Sequence, residues 1–375
     1  MRSSGNKIMA KERAAIYGTS SEGYRLALFL YELGDEVSII DERIKTSYEL
    51  SGKPPESIRQ IIGEDSLYPI QPLSAALEQA DKVVMAPRLK HSEEGRGEWL
   101  QRLKEVGQNL KQGSTLVNMV PLTLGGNREA LTILEEQSGL KAGSDFAYVY
   151  SPVGNCGIAS HMAAKLPSWV AKMLNRPKWY QSLDEAELQY VRWALSEYMP
   201  KALDASFYRD ATVPIELSSN LFLDDLAQGI YDMQLFADTL QHGDTLHHMA
   251  TGSLKALQNY THTLESYLRV FSRNKGLKAI RSRVLLVWSY DTQEMKAERS
   301  RIIVSLLNSL REIFGDVDLW NPTEQAGEER KRIPSVEKYQ MIVACSKDDL
   351  NLCKTSIRRA PDQVVISASI PIQSY

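Results

Sequence analysis

The feature that most constrains this chain is a short apolar run that breaks at a glycine and passes at once into a helical pattern. Ala14-Ala15-Ile16-Tyr17 stops at Gly18. From Gly23 onward Leu26, Ala27, Leu30 and Leu33 repeat at helical spacing, and Gly34-Asp35 closes that helix with a residue suited to the left-handed cap. Val37, Ile39 and Ile40 then make a second strand that ends at Asp41. The alternation continues with strands over 82–86, 114–118 and 146–150 and helices over 72–80, 98–111 and 127–137. Strands separated by helices with short connections imply a parallel sheet covered on both faces.

The first turn reads Gly18-Thr19-Ser20-Ser21-Glu22-Gly23, a dinucleotide fingerprint whose middle glycine is replaced by Ser20. Such a site needs a tight turn, a close approach of backbone to pyrophosphate, and a helix N-terminus aimed at the phosphates. Gly18 supplies the turn and Gly23 lets the helix lie close to the strand. Ser20 puts a side chain where closest approach is wanted. Asp41 stands 18 residues after Gly23, where a carboxylate takes the ribose hydroxyls of NAD and disfavours a 2′-phosphate. The alternative is a Rossmann-like sheet that binds no dinucleotide.

After about residue 160 strand signals become scarce until 274. Leu221, Leu223, Leu226, Ile230, Met233 and Leu240 lie close to one helical stripe, and 246–271 continues in helical style. Leu223, Leu226, Ile230 and Met233 are more apolar than one solvent-facing helix needs, which suggests a homodimer through these helices, with packing inside the chain as the other use. A basic run follows at Arg273, Lys275, Lys278, Arg281 and Arg283, either a phosphate contact or a solvated linker. Alternation then resumes: a strand over 284–288, a helix over 299–314, and strands over 317–320, 340–344 and 363–368. The expected fold is α/β: an N-terminal Rossmann-like parallel sheet over 1–155, a central helical segment over 156–275, and a smaller C-terminal Rossmann-like α/β domain over 276–375.

At 375 residues the chain is long enough for two or three domains. Its 44 basic and 47 acidic residues exclude a strongly basic nucleic-acid binder. No run of about 18 apolar residues exists to cross a membrane, and the polar start, 1–13, lacks a signal-peptide core. Cys156, Cys345 and Cys353 are too scattered for a disulfide framework. These features predict a cytoplasmic protein with no membrane or nucleic-acid partner.

Later motifs sharpen the picture. Ser138-Gly139-Leu140, Gly143, Asp145-Phe146 and then Tyr150-Ser151-Pro152 resemble the "SGL-x-x-G-x-DF…SPE" stretch of the UDP-glucose/GDP-mannose 6-dehydrogenase family. Residues 15–41 resemble that family's first strand, turn, helix and second strand, and 117–121 its "STVP" stretch. Residues 283–322 resemble the start of its nucleotide-binding C-terminal domain, and 341–349 a later strand and loop. Together these cover roughly two thirds of the chain. The resemblance implies an NAD-dependent oxidoreductase acting on a CH–OH group of a nucleotide sugar. It implies cofactor contacts at Gly18, Thr19, Ser20, Gly23, Asp41 and Pro121. It also implies substrate contacts near Lys296, Arg299 and Ser300, where the family has an "R-E-S" triplet and this chain has Glu298-Arg299-Ser300.

The chain departs from the family where the chemistry is done. The family's double oxidation passes through a thioester on a cysteine before the C-terminal domain, yet 240–283 holds no cysteine. Met119 stands for the threonine of "STVP" and Val153 for the glutamate after Ser-Pro. Four-electron oxidation needs a nucleophile and a base, so it is not expected. Cys156, in a glycine-flanked loop with His161 nearby, is either a relocated nucleophile or a small loop residue. His242, Asp244, His247 and His248 cluster within seven residues, and a solvated helix turn is the better reading than a metal site. Two functions remain: a divergent NAD-dependent oxidoreductase, or a non-catalytic paralogue that keeps the fold as a nucleotide-binding or assembly subunit.

Overall fold

The computed structural model describes residues 11–42, 45–49, 71–89, 93–152, 158–161, 179–180, 182–210, 221–324, 338–356 and 363–374. They fall into two compact units, one of Met1–Val191 with Gln293–Lys296, the other of Arg192–Thr292 with Ala297–Tyr375.

In the first unit, strand β1 (Arg13–Tyr17) leads into helix α1 (Ser21–Glu32) and back to β2 (Glu36–Asp41). Then come β3 (Thr46–Glu49), β4 (Gln71–Pro72), α2 (Leu73–Gln79), β5 (Lys82–Met85), α3 (Glu93–Gln108), β6 (Thr115–Asn118), α4 (Gly126–Ser138), β7 (Ala147–Tyr150), β8 (Ile158–His161) and β9 (Trp179–Tyr180). The sheet order is β4-β3-β2-β1-β5-β6-β7-β8-β9. Strands β2, β1, β5, β6 and β7 are parallel, with Ile16 opposite both Ile39 and Val84. β3 and β4 join one edge antiparallel, and β8 joins β7 antiparallel. All four residues of β5, β6 and β7 are buried, as strands covered on both faces require. The chain reverses its strand order between β1 and β5, and in open α/β sheets ligands bind outside the carboxyl ends at such a point.

Helix α5 (Leu183–Asp210) begins in the first unit and continues in the second. The second unit holds β10 (Leu221–Phe222), α6 (Leu223–Ala227), α7 (Ile230–Thr239), α8 (Thr245–Asn274), β11 (Arg283–Val287), α9 (Glu298–Ile313), β12 (Asp316–Trp320), β13 (Met341–Ala344), α10 (Lys347–Ser356), β14 (Val364–Ser367), β15 (Ser369–Ile370) and β16 (Gln373–Ser374). Its main sheet runs β12-β11-β13-β14-β16, parallel except for β16, and β10 pairs antiparallel with β15. The α/β class and the two Rossmann-like sheets agree with the sequence reading.

Two details differ. Strands β8, β9 and β10 lie in the stretch that reads as helical. Each has two to four residues, too few to register a period of two. The stripe expected to carry a homodimer is spent inside the second unit. Leu223, Leu226, Ile230 and Met233 are buried, and the first three join one core with Leu264, Leu268, Leu286 and Leu306.

Candidate functional site at the first switch point

The turn after β1 and the loop after β5 form the two lips of the switch point. Gly18 has φ +120, and a Cβ there would run into Ala86 O and Pro87, so only glycine lets the lips approach. A Cβ on Gly23 would sit 3.0 Å from Ala86 Cβ and 3.3 Å from Ile16 Cγ2, the close helix–strand packing that the fingerprint needs.

Ser20 turns inward. It is fully buried and caps α1, accepting from Gly23 N–H at 3.1 Å and donating to Ala86 O at 2.7 Å. The middle position of the fingerprint is thus a helix cap that also ties the lips together. Thr19 is buried too, and its hydroxyl meets no hydrogen-bond partner among the described residues. An orphaned buried hydroxyl at the switch point is what a polar ligand would satisfy.

Asp41, the last residue of β2, is buried. The next carboxylate, Glu42, is the one that faces the fingerprint: its Oε2 accepts Thr19 N–H at 3.1 Å and its Oε1 accepts Arg88 N–H at 3.2 Å. Sequence spacing points to Asp41; Glu42 beside it is the residue that reasoning missed. Gln293 O accepts Ser21 N–H at 2.8 Å, and no sequence signal near the fingerprint announces a contact from so far along the chain. Residue types and shape fit a dinucleotide here, while the Thr19 and Ser21 N–H groups bond acceptors of the chain itself.

Further along the sheet edge, Met119 and Pro121 are buried. Asn118 donates to Tyr148 Oη at 2.9 Å, Tyr148 donates to Asn127 Oδ1 at 2.6 Å, and Asn127 donates to Glu187 Oε1 at 2.8 Å. Glu187 also accepts the Gly125 and Asn127 backbone N–H groups, both at 2.6 Å, at the start of α4. Burial raises the Glu187 carboxyl above the usual range despite these donors. Cys156 lies outside the described residues. His161 ends β8, its backbone paired in register with Tyr148.

The implied substrate residues divide between the units. Lys296, in the first, places its Nζ 5.7 Å from the Tyr190 ring centre. Arg299 and Ser300 are in the second, where Arg299 Nε pairs with Asp224 Oδ1 at 2.9 Å. That same oxygen accepts the Trp288 indole N–H at 2.7 Å, so Arg299 serves an internal carboxylate. At the carboxyl edge of this sheet, buried Asp349 accepts from Ser289 N–H, Ser289 Oγ and Ser346 Oγ. Burial pushes the Cys345 thiol well up, which disfavours a thiolate. His242 Nδ1 and His247 Nε2 are 3.3 Å apart, and among the described residues no three His, Cys, Asp or Glu side chains could hold a metal ion. Arg273, Lys275, Lys278, Arg281 and Arg283 are all exposed.

No protein-family model matches the chain, and neither does any curated protein. Solved structures do. The chain is similar to a UDP-glucose dehydrogenase from Pyrobaculum islandicum, with 13% identity and a TM-score of 0.63 over 98% of this chain and 96% of that one. It is also similar to a UDP-D-ManNAc dehydrogenase from Pyrococcus horikoshii, with 13% identity and a TM-score of 0.62 over 96% of each chain. A UDP-N-acetyl-mannosamine dehydrogenase from Staphylococcus aureus gives 11% identity and a TM-score of 0.55 over 95% of this chain and 98% of that one. At these identities the likeness establishes the fold.

Proposed function

We propose that the chain is a divergent oxidoreductase of the nucleotide-sugar dehydrogenase type that binds an NAD-class dinucleotide at the first switch point and performs at most one two-electron step on a CH–OH group. The observation that carries this reading is the β1/β5 switch point: a glycine-framed turn, a buried Thr19 hydroxyl that meets no partner among the described residues, and two adjacent carboxylates at the end of β2, all within a fold similar to such dehydrogenases over nearly the whole chain. Gly18, Thr19, Ser20 and Gly23 would frame the pyrophosphate, Asp41 and Glu42 the ribose side, and Pro121 the far end. Bound there, the dinucleotide supplies a hydride acceptor. The family resemblance marks Lys296, in the first unit, and Arg299 and Ser300, in the second, as the residues to test for sugar-nucleotide contact. Cys156 and His161 are the named candidates for moving a proton.

A second reading, a non-catalytic subunit that keeps the fold, is favoured by one observation: the fingerprint N–H groups of Thr19 and Ser21 already bond Glu42 and Gln293. A thermal shift with NAD, NADP and UDP-sugars separates the two. A dinucleotide at 100 times its dissociation constant stabilises by about 2.7 kcal/mol. Asp41→Ala and Glu42→Ala should each weaken NAD and relax the bias against NADP. No response to any nucleotide leaves the non-catalytic reading ahead.

A further inference from the structure

Residues 293–296 belong to the first unit although nearly 270 positions separate them from the fingerprint. They lie across both lips of the switch point. Gln293 O accepts the Ser21 N–H, the first of α1, at 2.8 Å. Met295 N–H donates to the Glu22 carboxylate at 2.9 Å, and Met295 O accepts the Leu89 N–H at 2.7 Å. The Met295 side chain is fully buried, so an apolar anchor sits between the two backbone ties. Directly after the strap, Ala297 holds φ 45 and ψ 32, a left-handed conformation that L-residues seldom adopt.

A helix N-terminus binds a diphosphate through the N–H groups of its first turn. Here the Ser21 N–H is taken by the Gln293 carbonyl and the Gly23 N–H by Ser20 Oγ, while the Thr19 N–H of the preceding turn is taken by Glu42. Ser20 belongs to the fingerprint, and Glu42 follows β2 beside it. The strap comes from a distant part of the chain and meets the cradle through its ties to Ser21, Glu22 and Leu89 and the buried Met295 side chain. The geometry points to a strap that competes with a dinucleotide: Gln293–Lys296 and a bound diphosphate are alternative partners of the Ser21 N–H. The free protein keeps its cradle closed, and a dinucleotide enters by expelling the strap. This rests on the reading that the fingerprint takes a dinucleotide.

The test uses the full chain and two variants, Met295→Ser and Met295→Asp, which remove the apolar anchor and leave the fingerprint untouched. Peptide-resolved amide exchange reads the strap's seat, and calorimetric titration with NAD and NADP reads the cradle. Exchange at Ser21 and Leu89 should quicken at least tenfold in both variants, and the dissociation constant of the preferred dinucleotide should fall at least tenfold. In the natural chain, saturating dinucleotide should speed exchange at Met295 while Ser21 stays protected, a readout that needs no variant. Amides that remain protected in both variants overturn the anchor. Binding to the natural chain with an unchanged constant in the variants, or with Met295 still protected at saturation, overturns the strap alone and leaves the dinucleotide reading standing. No binding of either dinucleotide to any of the three chains, with the strap released, overturns both.

Discussion

A hydroxyl at position 20 changes what a fingerprint turn does, and the sequence shows the hydroxyl but not its direction. A side chain facing the ligand there would obstruct close approach; the structure turns Ser20 away, into the Gly23 N–H and Ala86 O. Glu42 was hidden for a related reason. Spacing identifies the end of β2 but not which of two adjacent acids bends back to Thr19. At the end of β1, Tyr17 is buried and donates to Glu105 Oε2 at 2.9 Å. Burial pushes the Glu105 carboxyl up, but hydrogen bonds from Lys45, Tyr17 and Gln101 together hold it below the usual glutamate value of 4.5. A depressed folded value means the unfolded chain takes up the proton first, so this stabilisation is complete above 4.5 and is lost as pH falls through the lower folded value. Tyr17→Phe should therefore cost about 1–3 kcal/mol at neutral pH. Urea titrations at pH 7 and in acid should find that cost shrinking as Glu105 becomes protonated. A cost that does not change with pH would show that the Tyr17–Glu105 bond is not its source.

Elements with a strong period were legible. β1, α1, β2, β5, β6, β7, β11, α9, β12 and β13 lie within a few residues of the runs that mark them. The misses share a cause. β3, β4, β8, β9 and β10 are short, and pairing with a neighbour rather than their own pattern makes them strands. The apolar stripe over α6 and α7 was legible as buried, but whether a partner chain or this chain covers it is a tertiary fact. Its cover is α8, whose Leu257, Tyr260, Leu264 and Leu268 fall at successive turns and are all buried. Tyr260 adds a hydrogen bond to Ser369 O at 3.0 Å. Leu264→Ala should lower the stability of the second unit by about 2–5 kcal/mol, the usual cost of emptying a buried leucine site. Val304→Ala on α9, where the side chain is 58% exposed, should change it by less than about 0.5 kcal/mol. Urea unfolding followed by far-ultraviolet circular dichroism checks both, and equal effects would contradict the packing described for α8.

At the scale of the whole molecule, the fold is similar to that of solved UDP-sugar dehydrogenases, and the proposed limit to one oxidation rests on residues that the sequence lacks where the resemblance would put them. The second oxidation requires the aldehyde to be held as a tetrahedral adduct, so that a second hydride can leave, and a base to form that adduct. Residues 240–283 contain no cysteine to make a thiohemiacetal. Met119 is buried and offers no proton acceptor, and the neighbouring Asn118 is committed to Tyr148 and to the Val120 N–H. Cys345 and Cys353 are buried, and burial pushes the Cys345 thiol well up, which disfavours a thiolate there. A single oxidation is less demanding, because it needs a dinucleotide and one proton acceptor but no covalent adduct. With a panel of UDP- and GDP-sugars the natural chain should therefore yield no more than one NADH per sugar, and UDP-glucose should give no UDP-glucuronate. The Cys156→Ser chain run in parallel tests the thiol: loss of that NADH would put Cys156 in the active site, and retention would show that the thiol is not needed. Two NADH per sugar would mean that the second oxidation finds a nucleophile outside the family's usual position. No NADH from any sugar, in a chain that binds dinucleotide by calorimetry, would move the protein to the non-catalytic reading.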